Sequence, residues 1–343
     1  MTAKVALISI AILALLLALL PLLSPIAVFN RPGELYTQKI DQEIKTGSYV
    51  SSLGFFEKSG LSKYYELTYG FIDYNGGEKY INFSISKDYY KSAINQFGFE
   101  LSQIYRQIGR ELELEAERQL ENYGYHKYVD FSFSSTGEIS YSLSAPSDIY
   151  RNVVSAADSL IDYLSDKQSV LFDEKLYDYG FYIYNNTINI DFNTVISWNH
   201  PYLKDCFKAL YNSGKGYSLQ EYLGLFIAFL QEITYEIPPD TWKGKIIEGL
   251  WVPPEVLVNN HGDCDSKSVL FCALWKYFKN SPLIVIEVPG HILVGVGIAP
   301  APGQEYTRIG NQYYVMCEVV GPGKFYPGYQ ESVKGSFIYY TIK

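Results

Sequence analysis

Apolar and polar positions change rhythm several times along the chain. Residues 5–30 read VALISIAILALLLALLPLLSPIAVFN, apolar without period and without a single charge. A helix of that length is long enough to cross a bilayer. Residues 31–60 are polar and mixed, with a short helix expected near 36–45. Alternation then takes over. Residues 63–74 and 79–86 read as strands, and Asn75-Gly76-Gly77 between them is a hairpin turn. Ser86 or Asp88 caps one long helix to about Tyr123, and its stretch 111–118 reads as a solvated charged face. A second hairpin pairs 128–133 with 138–143, and a helix follows from Ser147 or Asp148 to about Leu164. Strand–strand–helix twice over hints at an internal duplication, although the two halves share little residue identity. Residues 176–184 and 187–192 form another hairpin about Asn185-Asn186.

Helical spacing returns at 202–212 and at 219–231, where Ser218 is the cap after Ser213-Gly214-Lys215-Gly216. The sharpest change falls at Asn260-His261-Gly262-Asp263-Cys264. Polar and small residues end there, and Leu270, Phe271, Leu274 and Phe278 recur at helical spacing. Gly262 suits a tight turn and Asp263 an N-cap, so Cys264 falls in the first helical turn. Ser281-Pro282 stops this helix after about Asn280. Strands are expected at 283–286, at 291–296 after the Pro289-Gly290 turn, at 313–318 and at 336–342, with 303–310 a loop. The sum is an α+β protein with an antiparallel sheet. With a loose boundary at 192–201, the chain divides into an apolar segment (1–30), an accessory hairpin–helix domain (31–196) and a C-terminal domain (197–343).

Composition narrows the function. The chain has 343 residues, enough for two domains, with 33 Tyr and 19 Phe that suit a sheet-rich core. The formal charge is −9 without a Lys/Arg cluster, which disfavours nucleic acid as a partner. Four cysteines, at 206, 264, 272 and 317, form no CxxC pair and no disulfide framework. Lys4 precedes the apolar run and Arg31 follows it. The run reads as a retained membrane anchor with the rest of the chain exported. The alternative is a cleaved signal peptide, but cleavage after Ala27 puts Pro25 at the −3 position. No glycine-rich phosphate loop or dinucleotide fingerprint is present, and no cofactor is expected.

The chemistry concentrates at the C-terminal half. A thiol in the first turn of a helix faces unpaired N–H groups and the positive end of the dipole, and both favour the thiolate. Asp263 and Asp265 oppose this if they point at the sulfur, so they are expected to point away or to be paired, with Lys267 placed to pair with one. His291, opening a strand, can form a thiolate–imidazolium pair with Cys264, and Glu318 at the end of a following strand can orient the ring. His261 lies too close before the helix to take that place, and His126 and His200 carry no motif. A metal site from His261, Asp263, Cys264, Asp265 and His291 is the competing reading, without a dedicated zinc spacing.

Gly262-Asp263-Cys264-Asp265-Ser266-Lys267-Ser268 before an apolar helix, Pro289-Gly290-His291 opening a strand and Glu318 ending the next resemble the transglutaminase-like superfamily of papain-like cysteine enzymes. The resemblance covers about 217–323. It includes Phe229 to Tyr235, like a helix-end motif upstream of the nucleophile, and Pro254-Glu255-Val256-Leu257, like a segment before the Gly-Asp-Cys turn. The chain departs from the family at Glu318-Val319-Val320, where a Thr usually follows the carboxylate. The resemblance implies a papain-like fold, with Cys264 as nucleophile, His291 as base and Glu318 as orienting carboxylate. It also implies that Gln231, with the Cys264 N–H, holds the oxyanion. Expected is hydrolysis of a peptide or amide, or acyl transfer, on a protein or peptide substrate. The alternative is a membrane-anchored binding or scaffold protein without turnover.

Overall fold

The structure is a computed structural model. It describes residues 35–40, 53–60, 63–321, 325–328 and 335–343, with 35–40 and 335–336 as backbone alone. The expected anchor at 1–30 lies outside the described residues, and among those described no helix is long and apolar enough to cross a membrane.

The described residues begin with strands β1 (Leu35–Ile40), β2 (Phe55–Ser59), β3 (Tyr64–Ile72) and β4 (Glu78–Ser86), then helices α1 (Lys87–Gln96) and α2 (Leu101–Tyr123). Strands β5 (Val129–Phe133) and β6 (Ile139–Leu143), helix α3 (Tyr150–Tyr177), and strands β7 (Phe181–Tyr184) and β8 (Thr187–Ile190) follow. Helices α4 (Phe192–Asn199), α5 (Lys204–Ser213) and α6 (Leu219–Glu232) lead to the short strands β9 (Thr234–Tyr235), β10 (Thr241–Trp242) and β11 (Lys245–Ile246). Helix α7 (Pro253–Asn259), strand β12 (His261–Gly262) and helix α8 (Cys264–Trp275) come next. The last strands are β13 (Leu283–Val288), β14 (His291–Val296), β15 (Tyr306–Ile309), β16 (Gln312–Cys317) and β17 (Gly335–Ile342). The α+β class with antiparallel sheets is as expected.

The chain forms two compact units, and they do not follow a single cut near 196. One comprises Phe99–Ile190 with Gly244–Ile246; the other holds 35–98, Asp191–Lys243 and Ile247–Lys343. In the first, α2 buries Ile104, Ile108, Leu112, Ala116 and Leu120, one residue per turn, and packs against α3 and β5. The charged stretch 111–118 is the solvated face expected, with Glu111, Glu113, Glu117 and Arg118 exposed. Glu115 takes Lys167 of α3 at 3.3 Å, and Glu111 takes Lys175 at 2.9 Å. The single helix expected over 86–123 is two, because Gly98 adopts φ +80 and Phe99 pairs in extended form with Ile246. Conversely α3 runs on to Tyr177, since Leu171 and Leu176 extend its buried face beyond Leu164.

The second unit holds the first hairpin. Leu67, Tyr69 and Phe71 alternate on one face of β3 and are buried, with Tyr69 and Phe71 against Phe229 of α6. The Tyr69 hydroxyl donates to the Leu257 carbonyl at 2.5 Å. Helix α6 starts at a reciprocal cap, Ser218 with Glu221, worth about 1 kcal/mol. Every residue from Tyr222 to Gln231 is buried, and each large apolar side chain contributes about 1.5–3 kcal/mol.

The main sheet has the order β1-β17-β13-β14-β16-β15, with every neighbour antiparallel. Residues 35–40 are thus a strand paired with β17, where a helix near 36–45 was expected. The expected loop 303–310 contains β15, turned into β16 at Gly310-Asn311. One face carries Ile284, Ile286, Val288, Leu293, Tyr314, Met316, Phe337 and Tyr339 as a continuous core. Gly295 lies opposite Ile284, whose side chain fills the place of a Cβ, so the strand beyond His291 sits close against β13. Helix α8 packs against β14, and this contact brings Cys264 to the start of that strand.

Candidate active site

The start of α8 is fixed by its own sequence. Asp263 is the extended N-cap, and its carboxylate accepts the Ser266 N–H at 3.0 Å. Cys264 is the first helical residue. A Cβ on Gly262 would lie 3.2 Å from Ser266 and 3.3 Å from Val256, which is why the turn takes glycine. The short strand β12 pairs in parallel with β9, His261 with Thr234 and Gly262 with Tyr235. The Glu236 N–H donates to the Gly262 carbonyl at 3.3 Å, and Lys267 Nζ to the Ile233 carbonyl at 2.5 Å. Residues 233–236 are therefore tied to both flanks of Cys264.

His291 is the first residue of β14. Its Nε2 donates to Glu318 Oε2 at 2.5 Å, and the other carboxylate oxygen accepts the Val320 N–H at 2.9 Å. Glu318 is 4% exposed and fixed on both oxygens, so it sets the plane of the ring. With Nε2 as donor, Nδ1 is the nitrogen with basic character. The Cys264 sulfur receives the N–H of Ile292, the residue after His291. Its own S–H donates to Asp265 Oδ1 at 3.1 Å.

That last contact corrects the expectation that the neighbouring carboxylates point away. Burial first, then the charges of Asp265 and Asp263, push the Cys264 thiol well above its usual range, and the Ile292 N–H opposes them only in part. Burial and Asp263 likewise raise the Asp265 carboxyl to about 6, against the pull of the thiol and of His291. Lys267 forms no ion pair with Asp263 or Asp265 among the described residues, another departure from expectation. It is fully buried, which lowers its ammonium to about 8, and the charges of Glu318, Asp263 and Cys264 hold it up.

Gln231 is not placed as an oxyanion donor. Its Nε2 donates to the carbonyls of Glu318 at 2.7 Å and Phe325 at 3.1 Å, which uses both amide hydrogens. Its Oε1 accepts from Tyr74 at 3.0 Å and from the Phe325 N–H at 3.2 Å. This buried amide holds the chain on either side of the site in place. The residues of the metal reading also part company. Asp263, Cys264 and Asp265 bring their ligand-type atoms within 4.8 Å of one another. His261, however, gives Nδ1 to Glu236 at 2.8 Å and stacks on Trp251, while His291 belongs to Glu318.

Asp265, expected to point away from the sulfur or to be paired, is its direct partner. One residue escaped the sequence reading. Tyr235 pairs with Gly262 and lies in the field of Cys264, Asp263, Asp265 and Glu318. Only the long-range strand pairing reveals this placement. Comparison with protein-family models, curated proteins and solved structures returns no match.

Asp265→Asn removes the negative charge that opposes the thiolate. The Cys264 pKa should fall, and iodoacetamide alkylation at pH 7 should accelerate about tenfold for each unit of that fall. A rate–pH profile identical to that of the wild type would contradict the Asp265 contact.

Proposed function

We propose that the chain is a membrane-anchored, exported cysteine enzyme of the transglutaminase-like kind, hydrolysing or transferring amide bonds through a Cys264 thioester. The observation that carries this reading is the meeting of a half-buried thiol at a helix start with the strand of His291, whose Nε2 is held by a buried carboxylate. The other three cysteines are buried. The Gly-Asp-Cys and Pro-Gly-His segments add the family resemblance.

In the resting site the thiol is neutral and donates to Asp265. As a protein or peptide substrate binds, His291 Nδ1 takes the thiol proton and the sulfur attacks the carbonyl carbon. The C–S bond forms as the C=O π pair moves to oxygen, beside the Cys264 N–H at the positive end of α8. Collapse breaks the C–N bond, and the amine leaves with the proton from His291. Water, deprotonated by the same imidazole, releases a carboxylic acid, whereas an amine releases a new amide. Glu318 keeps the ring in one tautomer and stabilises the imidazolium.

A second reading is a binding or scaffold protein without turnover. The raised thiol favours it, because an inert site has no need of a thiolate. Peptide-library cleavage separates the two. Wild-type protein should cleave, and Cys264→Ser and His291→Ala should each lose about 10³-fold or more. Wild type as slow as both variants would leave the binding reading standing.

Residues 5–30 supply the anchor on this reading. The full chain should stay in the membrane pellet after alkaline carbonate washing. Release into the supernatant, or a mature chain that begins near Val28, would contradict anchoring.

A further inference from the structure

On the reading of Cys264 as nucleophile, we propose that the Tyr235 phenol is the side-chain donor to the oxyanion, acting beside the Cys264 backbone N–H. The position of Tyr235 is set by the nucleophile's own flanks. Its main chain pairs with Gly262, two residues before Cys264. The carbonyl of Ile233 is held by Lys267, one turn into α8, and the N–H of Glu236 by Gly262. Tyr235 therefore stands between two fixed points, each linked to the start of α8. Its side chain is 47% exposed, open to a ligand arriving from solvent. Its hydroxyl has no hydrogen-bond partner among the described residues.

The other candidate donors are spent or out of reach. Gln231 has both amide hydrogens on carbonyls. Lys267 is fully buried with its Nζ on Ile233. The Trp251 indole nitrogen lacks a partner among the described residues, but the residue is 4% exposed, stacked on His261 with Trp242 against its edge. Asp263, Asp265 and Glu318 are carboxylates, which accept. The phenol has the opposite character. Burial, followed by the charges of Cys264, Asp263, Asp265 and Glu318, raises it above its ordinary value, so it keeps its proton at neutral pH. A neutral O–H in a field of negative groups becomes a donor when a negative oxygen forms beside it.

Two reactions at one sulfur test this. Alkylation by iodoacetamide is a displacement at carbon and forms no oxyanion. Acylation by p-nitrophenyl acetate forms one, and its leaving phenolate needs no acid. In the full chain, Tyr235→Phe should acylate on the order of 10²-fold more slowly than wild type, while its alkylation rate stays unchanged. The alkylation arm also reports that the variant has folded around Cys264. Acylation of Tyr235→Phe at the wild-type rate would overturn the donor role. An equal loss in both reactions would overturn it too, since the ring would then act through packing. If wild-type Cys264 is neither alkylated nor acylated, the nucleophile reading falls and the donor role with it.

Discussion

Lys267 is the buried charge on which the rest of the site depends. Removing an ammonium from water costs several kcal/mol. Here the cost is offset by the charges of Glu318 and Asp263 and by the Ile233 carbonyl at 2.5 Å. These interactions relate three separate pieces of chain, namely the start of α8, the segment after α6 and the end of β16. Gln231 adds the neutral counterpart, joining the last turn of α6 to the carbonyls of Glu318 and Phe325. Between them, a cation and an amide at the floor of the site fix the parts that bear Cys264, Tyr235 and Glu318. Rigidity of this kind is what a reactive constellation requires of its supports.

At the thiol two effects oppose each other, and their sizes decide the outcome. A helix N-terminus favours the thiolate by about 0.3–1 kcal/mol, or up to ~2 in partly buried geometry. Burial can shift a group by as much as about 3–5 pKa units, and each unit is about 1.36 kcal/mol. Asp265, 3.1 Å from the sulfur, acts in the same direction as burial. The dipole loses, and the resting thiol is neutral. On the proposed reading, attack by this sulfur couples to proton transfer onto His291. At rest Asp265 accepts the S–H.

Local chemistry was legible in the sequence. Gly262-Asp263-Cys264 announced a capped helix start, Ser218 announced another, and the apolar runs at 283–286 and 291–296 gave adjacent antiparallel strands. Features that exist only through distant partners were not. Residues 35–40 are a strand because β17 offers an edge, and 306–309 are one because β16 does. Gly98 looks like an ordinary glycine within a helical pattern until its positive φ is seen to separate α1 from α2. The same division runs through the site. Cys264, His291 and Glu318 could be named from spacing and motif, and the bond from His291 to Glu318 follows from strand order. The role of Gln231 could not be read, because an amide binds whatever the fold brings to it. The direction of Asp265 and the approach of Tyr235 depend on a rotamer and on a two-residue strand pair.

The central claim is that Cys264 carries the acyl group. Intact-mass and peptide-mass analysis of the full chain, quenched in acid during reaction with a slowly hydrolysed acyl ester, tests it directly. Expected is one acyl group on the peptide that contains Cys264, removed by neutral hydroxylamine and absent from Cys264→Ala. Product formation with no acyl group on Cys264, or with an equal yield from Cys264→Ala, would contradict the claim.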